Sequence, residues 1–204
     1  MKKSFIVAFL MLIFAMGSLS AQKVVFPTDN RGKICYTNEF ETDQSKAELF
    51  ESANLWVVST FHSRDAVFSK DMEKGELLAN GTMRSKSDYK PSVGHFSEYV
   101  TFIIKFNVSD GKIQYILYHP TLLETYVGYG TNKKIYDMDE LYQEYVKAYE
   151  SKALAKSDPT LSKKERKSFI KVADDFVKEK EKSLELAADA MQDVVRMLES
   201  NLFR

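Results

Sequence analysis

The sequence predicts an α+β fold, in which an antiparallel sheet carries a helix on one face and a C-terminal helical extension follows. Three observations predict it. Residues 45–61 repeat apolar side chains at helical spacing, residues 99–120 alternate as two strands around Asp110-Gly111, and residues 162–200 contain neither proline nor glycine. A period of 3.6 residues is typical of helices and a period of 2 is typical of strands.

The N-terminus has the layout of a secretory signal peptide over residues 1–21. Lys2 and Lys3 precede an apolar run over residues 5–16, and small residues follow at 17–21. The run is shorter than the ~20 residues that a membrane span needs, so we expect no stable span after cleavage. We expect a mature start at Ala21 or Gln22 and export to the periplasm or the cell exterior. An uncleaved N-terminal anchor is the alternative.

Charge and cysteine content limit the possible partners. The chain has 29 basic and 29 acidic residues, and loss of Lys2 and Lys3 leaves 27 basic ones. Nucleic-acid binding needs a concentrated basic surface, so we expect no nucleic-acid partner. Cys35 is the only cysteine, so no internal disulfide can form. We interpret Cys35 as a half-buried strand residue, although a lone cysteine could also join two chains.

The first strand and the first helix have local signals. The segment "KICYTNEF" alternates and predicts a strand. Ser45 and Glu48 then match the capping box, in which a hydroxyl and a carboxylate each bind a free backbone amide. A wide apolar stripe follows, and it predicts a helix over residues 45–61 with Trp56 as its anchor in the core.

Two strands around Gly75 and a loop over residues 87–96 lead to the hairpin. Asp-Gly favours a two-residue turn, which would set Phe106 opposite Tyr115 and Ile104 opposite Leu117. A slip by one residue would expose every apolar side chain, so the register should be firm. The predicted core face consists of Val100, Phe102, Ile104, Phe106, Val108, Ile113, Tyr115 and Leu117.

The opposite face of the hairpin is the candidate binding face. It is too apolar for a face that meets only water and too polar for a full core, and exposed apolar area of this kind usually marks a contact site. Three alternatives stay open: cover by the C-terminal helices, binding of a protein or peptide, or an ordinary wet face. The residues of the candidate face are Tyr99, Thr101, Ile103, Lys105, Gln114, Ile116 and Tyr118.

The rest of the chain predicts a connection and then helices. Residues 121–139 are interpreted as a connection, after which Asp137 or Asp139 caps a helix with a tyrosine stripe. Ser162 and Glu165 form a second capping box and begin the last helix. Its apolar seam would pack on a partner helix, giving a homodimer through residues 162–203, or on its own domain. The stripe is Tyr142, Tyr145 and Tyr149, and the seam is Leu184, Ala187, Met191, Val194 and Leu198.

Three segments carry a family resemblance: "KAELFESANLWVVSTF", "VFSKDMEKGELLANGTM" and "VTFIIKFNVSDGKIQYILYHP". Together they resemble the domain of unknown function 4468, a family of exported bacterial proteins with a TATA-binding-protein-like (TBP-like) fold. The resemblance covers about residues 33–125 and implies the fold, but it brings no activity and no catalytic residues. A departure is "GELLANG", in which Leu77 and Leu78 stand in a strand that is usually rich in glycine. The predicted domains are therefore a signal peptide (1–21), a TBP-like domain (22–128) and a helical tail (137–204).

No local signature of catalysis is present in the sequence. It has no phosphate-binding loop, no nucleophile elbow and no zinc-protease helix, and its histidines stand far apart at His62, His95 and His119. We therefore expect no enzyme, no cofactor and no metal site.

The function that we expect is an exported, non-catalytic binding module that uses the candidate face and the helical tail as contact surfaces. The alternative is a small-ligand-binding protein or a hydrolase with a site in the cleft between the sheet and the C-terminal helices. That alternative requires at least one histidine to converge with acids in a pocket.

Overall fold

The structure is a computed structural model, and it describes residues 24–86, 95–128 and 130–202. The predicted signal peptide and most of the predicted loop over residues 87–96 lie outside these ranges. The chain divides into two compact units. The sheet unit contains residues 26–140 and 186–202, and the helical unit contains residues 24–25 and 141–185. The predicted boundary between residues 128 and 137 stays a prediction.

The sheet unit contains one six-stranded sheet in which the neighbouring strands are antiparallel. The strand order is β1-β5-β4-β3-β2, and β6 pairs with β5 beyond the end of β1. The long fifth strand therefore has β1 beside its first half and β6 beside its second half. The strands are β1 (Cys35–Glu41), β2 (Val67–Asp71), β3 (Glu76–Arg84), β4 (His95–Ser109), β5 (Lys112–Val127) and β6 (Thr131–Asp137).

Three helices accompany the sheet: α1 (Lys46–Phe61), α2 (Met138–Ser157) and α3 (Lys163–Leu202). The capping box predicted for α1 is confirmed, because Glu48 Oε2 accepts from the Ser45 amide at 2.9 Å and Ser45 Oγ accepts from the Glu48 amide at 3.4 Å. The helix ends at His62, which adopts the left-handed conformation. A 3₁₀ turn at Arg64–Ala66 then leads into β2.

The predicted hairpin register is confirmed. Phe106 lies opposite Tyr115 and Ile104 opposite Leu117, and Gly111 takes the positive φ of 71° that the tight turn requires. All eight residues of the predicted core face are buried, with at most 4% of each exposed. The predicted α+β fold is also confirmed. The alternating apolar residues of the hairpin place one whole face of the sheet in a core that helices cover.

Two helical segments of the sheet unit cover this core face. The Trp56 ring of α1 lies edge-on to Phe106 at 6.1 Å between centroids, and Trp56 is 5% exposed, so its predicted role as a core anchor is confirmed. At the end of α3, Glu199 Oε1 accepts from Tyr115 Oη at 2.8 Å and from Asn38 Nδ2 at 3.1 Å. Residues 186–202 therefore lie over the core face, and their seam residues are buried: Ala187, Met191, Val194 and Leu198.

The predicted connection over residues 121–139 is wrong, because β5 continues to Val127 and β6 follows. Pro120 suggested a break, since proline lacks the amide that a sheet ladder uses. The sheet accommodates it at an irregularity of the β4–β5 register, where His119 takes a φ of 51°. The side chains of β6 are exposed except for the partly exposed Tyr136, so this edge strand lacks the alternation that would have revealed it.

In the helical unit, α2 and residues 163–185 of α3 contact each other. Tyr145 and Tyr149 both donate to Glu181 Oε1 at 3.4 Å. The predicted tyrosine stripe is confirmed, because the rings of Tyr142 and Tyr145 stack at 6.5 Å and those of Tyr145 and Tyr149 meet edge-on at 5.1 Å.

The second predicted capping box is also confirmed, with Glu165 Oε2 accepting from the Ser162 amide at 2.9 Å. At the start of α2, Asp137 is the capping residue, since its Oδ1 accepts from the amides of Asp139 and Glu140. Within the described ranges, no helix combines the length and the hydropathy that crossing a membrane requires.

Candidate functional site

The sheet brings the residues of the candidate face together in the middle of β4 and β5. Ile103 lies opposite Tyr118 and Lys105 opposite Ile116, while Tyr99 lies further along β4, opposite Leu123. All seven residues are partly exposed, which distinguishes them from the buried residues that alternate with them. Within the sheet unit, α1 and residues 186–202 lie on the other face of the sheet.

The end of the candidate face near the hairpin turn is polar and internally paired. Lys105 forms an ion pair with Glu76 of β3, and Asn107 Nδ2 donates to Gln114 Oε1 at 2.8 Å. At the edge, Lys112 Nζ lies 2.7 Å from Glu39 Oε1, and this carboxylate raises the pKa of Lys112. Lys105 and Gln114, the polar members of the candidate face at this end, are therefore already bound to residues of neighbouring strands.

The centre of the candidate face is apolar. Ile103, Ile116 and Tyr118 lie on adjacent strands, and Leu78 of β3 extends this group beside Lys105. Exposed polar residues of the flanking strands β1 and β3 surround the group: Thr37, Asn80 and Thr82. An apolar centre within a polar border is the usual arrangement of a protein contact site.

Cys35 lies at the border of the candidate face, opposite Tyr118 in the β1–β5 pair. It is partly exposed. Burial raises the pKa of its thiol, and the carboxylates of Asp29 and Asp139 raise it further. Because the thiolate is the nucleophilic form, this environment makes Cys35 a poor nucleophile at neutral pH. The interpretation of Cys35 as a half-buried strand residue is confirmed.

The histidines do not form a site within the described ranges. His62 is exposed at the end of α1. His119 is also exposed, and its Nδ1 lies 4.0 Å from Asp139 Oδ2. The side chain of His95 is not among those that the structure describes. Across the described part of the chain, no group of three His, Cys, Asp or Glu side chains could hold a metal ion.

Asp139 has a structural position that the sequence did not reveal. It is only 1% exposed, its Oδ1 accepts from the Ile34 amide at 2.7 Å, and its Oδ2 lies 3.7 Å from Lys33 Nζ. The carboxylate therefore fixes the start of β1 to the start of α2. Asp137 and Asp139 both stand where the cap of the next helix is expected. No local sequence signal therefore distinguishes the capping residue from the buried one.

A pocket of about 350 Å³ lies at the far end of the sheet, on the side of the core face. Phe96 and Tyr126 lie opposite each other there, as do Glu124 and Lys134. The Tyr136 hydroxyl donates to Glu124 Oε2 at 3.4 Å. The sequence does not predict this pocket, because strand β6 lacks the alternation of a recognisable strand. Its lining residues are Phe96, Glu124, Tyr126, Asn132 and Lys134.

Comparison with known proteins supports the fold but gives no activity. Residues 36–122 match the model of a family described as a domain of unknown function (DUF4468) with a TBP-like fold. No match to a curated protein was found.

Two crystal structures are similar to this chain. One is a DUF4468 family protein from Bacteroides ovatus ATCC 8483, with 18% identity, coverage of 89% of this chain and 95% of that chain, and a TM-score of 0.48. The other is a TBP-like protein from Parabacteroides distasonis ATCC 8503, with 18% identity, coverage of 80% and 96%, and a TM-score of 0.41. The family match over residues 36–122 confirms the resemblance to this family, and the TBP-like fold, that the sequence predicts.

Proposed function

We propose that this protein is an exported, non-catalytic binding module that holds a protein or peptide partner on its candidate face. The observation that carries the proposal is the apolar group of Ile103, Ile116 and Tyr118, partly exposed at the centre of a sheet face. Covering such side chains removes apolar area from water, which is the main favourable term in protein association.

The polar border makes this face suited to association. Lys105 and Lys112 are already paired with carboxylates, so a partner that covers them does not have to bury an unpaired charge. Tyr118 and Tyr99 add aromatic side chains of the type that dominates binding energy in interfaces.

The helical tail is proposed as a second contact surface. Leu154 of α2 and Phe169 and Val172 of α3 are 67%, 57% and 68% exposed, although all three are large apolar side chains. Phe169 and Val172 are three residues apart and so share one side of α3. A partner cannot reach the seam residues that are buried in the sheet unit, but it can reach these three exposed side chains.

Export is proposed from the sequence of residues 1–21, and N-terminal mass analysis of the protein recovered outside the cytoplasm tests it. A first residue of Ala21 or Gln22 is expected. Recovery of the uncut chain in the cytoplasm would contradict export.

A site-specific photo-crosslinker tests the proposed binding face in cells that produce the protein. We expect a crosslinker at Ile116 to give a discrete adduct that mass spectrometry can identify. A crosslinker at Leu55, which is 58% exposed on α1, serves as the matched control and should not give that adduct. The adduct should also disappear when Ile103 and Tyr118 are changed to serine. Adducts that are equal at both positions, or that survive the serine changes, would disprove the proposed face.

A further inference from the structure

Among the described residues of the sheet unit, the outer edge of β6 pairs with no strand. The inner edge of this strand pairs with β5 along Thr131–Asp137. Six of its seven side chains are exposed and Tyr136 is partly exposed. An edge strand presents unpaired N–H and C=O groups, which are a template for another extended chain.

Two lysines stand on this edge, and neither forms an ion pair in the described ranges, although Glu124 of β5 lies opposite Lys134. Lys133 and Lys134 are both exposed, and within the described ranges neither ammonium group lies within 4.0 Å of a carboxylate. Successive residues of a strand point to opposite faces, so each face of the edge carries one of the two positive charges. An incoming strand with acidic side chains would therefore meet a lysine on either face.

Each face of the edge also carries an apolar contact. On the side of the candidate face, Ile135 is 72% exposed, and it lies opposite Leu123. On the other side is the pocket that contains Phe96 and Tyr126. Lysines alone would be explained as protection of an edge against aggregation. An isoleucine as exposed as Ile135 is the opposite of such protection, because it offers an added strand an apolar contact.

We propose that β6 binds an extended acidic peptide segment of another protein, which adds to the sheet as a further strand. Its backbone pairs with the outer edge of β6, and its acidic side chains contact Lys133 and Lys134. On the pocket side of the sheet, one apolar side chain of the peptide reaches over β6 toward the pocket, beside Asn132. Strand addition takes affinity from backbone hydrogen bonds and specificity from pockets for alternate side chains. This site is separate from the candidate face and does not depend on it.

Fluorescence anisotropy with a synthetic peptide tests the proposal on the full mature chain. The probe is a fluorescein-labelled hexapeptide with two glutamates followed by alternating valine and phenylalanine. Two comparison peptides keep its length: one has alternate backbone amides methylated, and the other has lysines in place of the glutamates. We expect the probe to bind, and both comparison peptides to bind about tenfold more weakly or worse, since either backbone pairing or charge contact is lost.

Charge reversal on the protein identifies the edge. The double change Lys133→Glu and Lys134→Glu should weaken binding of the probe by about tenfold. The matched control is Lys163→Glu with Lys164→Glu, a pair of exposed lysines at the start of α3, where acidic residues are favourable. The control should bind like the wild type, and circular dichroism should show that both variants are folded.

Three results would overturn the proposal. The probe could fail to bind, the methylated peptide could bind as well as the probe, or the two charge-reversed variants could bind alike. The second result would mean that charge attraction occurs without strand pairing, and the third would mean that the binding lies elsewhere on the protein.

Discussion

At the scale of single residues, Tyr115 joins the sheet to the C-terminal helix. It is 2% exposed, and its hydroxyl donates to Glu199 at 2.8 Å. Burial raises the pKa of Tyr115 above its usual value of 10.0, and the Glu199 carboxylate raises it further. Above pH 10 the unfolded chain therefore loses this proton while the native chain keeps it.

This difference predicts a loss of stability in alkali. Because the native state then binds more protons than the unfolded state, the free energy of unfolding falls as the pH rises above 10. Tyr115→Phe removes the ionisable group, so its free energy of unfolding should fall less steeply with pH than that of the wild type. At pH 8 the variant should be less stable by about 1 kcal/mol, because one hydrogen bond is lost. Urea unfolding between pH 8 and 11 measures both effects, and equal pH slopes for the two proteins would contradict this account of Tyr115.

At the scale of elements, Gly75 controls how the β2–β3 turn sits against the end of β4. It has a φ of +72°, and its carbonyl accepts from the Val108 amide at 2.7 Å. A β-carbon at this position would lie 1.9 Å from the carbonyl oxygen of Val108. Gly32 has nearly the same φ, +73°, but a β-carbon there would meet no atom within 4 Å.

The two glycines therefore make a matched pair. Gly32→Ala should cost only the left-handed backbone strain of about 1–2 kcal/mol. Gly75→Ala should cost about 1–3 kcal/mol more, since the backbone of β4 must move to relieve the overlap. Urea unfolding of both variants measures the difference. Equal losses of stability would show that the β2–β3 turn does not pack closely against β4 at Gly75.

The elements that the sequence predicted are those with complete local signals. Helix α1 has a capping box and an apolar stripe, and the hairpin has an Asp-Gly turn between alternating strands. Strand β6 has neither signal, because it lies at an edge with nearly all of its side chains exposed. The members of the candidate face follow from alternation alone. The ion pair between Lys105 and Glu76 could not be predicted, since it depends on which strand lies beside β4.

At the scale of the whole molecule, we propose that the homodimer expected through residues 162–203 uses the exposed tail surface. If two copies meet through α3, the exposed Phe169 and Val172 are the apolar side chains that they would bury. We expect light scattering to give twice the mass of one chain for the mature protein. Phe169→Glu with Val172→Glu should give the mass of one chain, because buried unpaired charges oppose association.

The control Leu55→Glu changes an equally exposed side chain of α1 and should stay dimeric. A wild-type monomer, or a double variant that stays dimeric, would contradict self-association through the tail surface.

If the core face of the hairpin is buried under helices and the candidate face is available to a partner, neighbouring residues of β4 should differ sharply in their contribution to stability. Ile103 is partly exposed on the candidate face, whereas Ile104 is fully buried on the core face. We would measure the free energy of unfolding of Ile103→Ser and Ile104→Ser by urea titration. We expect a loss of about 2–5 kcal/mol or more for Ile104→Ser, as for other large-to-small changes in a core. For Ile103→Ser we expect a loss of about 1 kcal/mol or less, the range of strand preferences. Equal, large losses would show that the candidate face is core and cannot receive a partner.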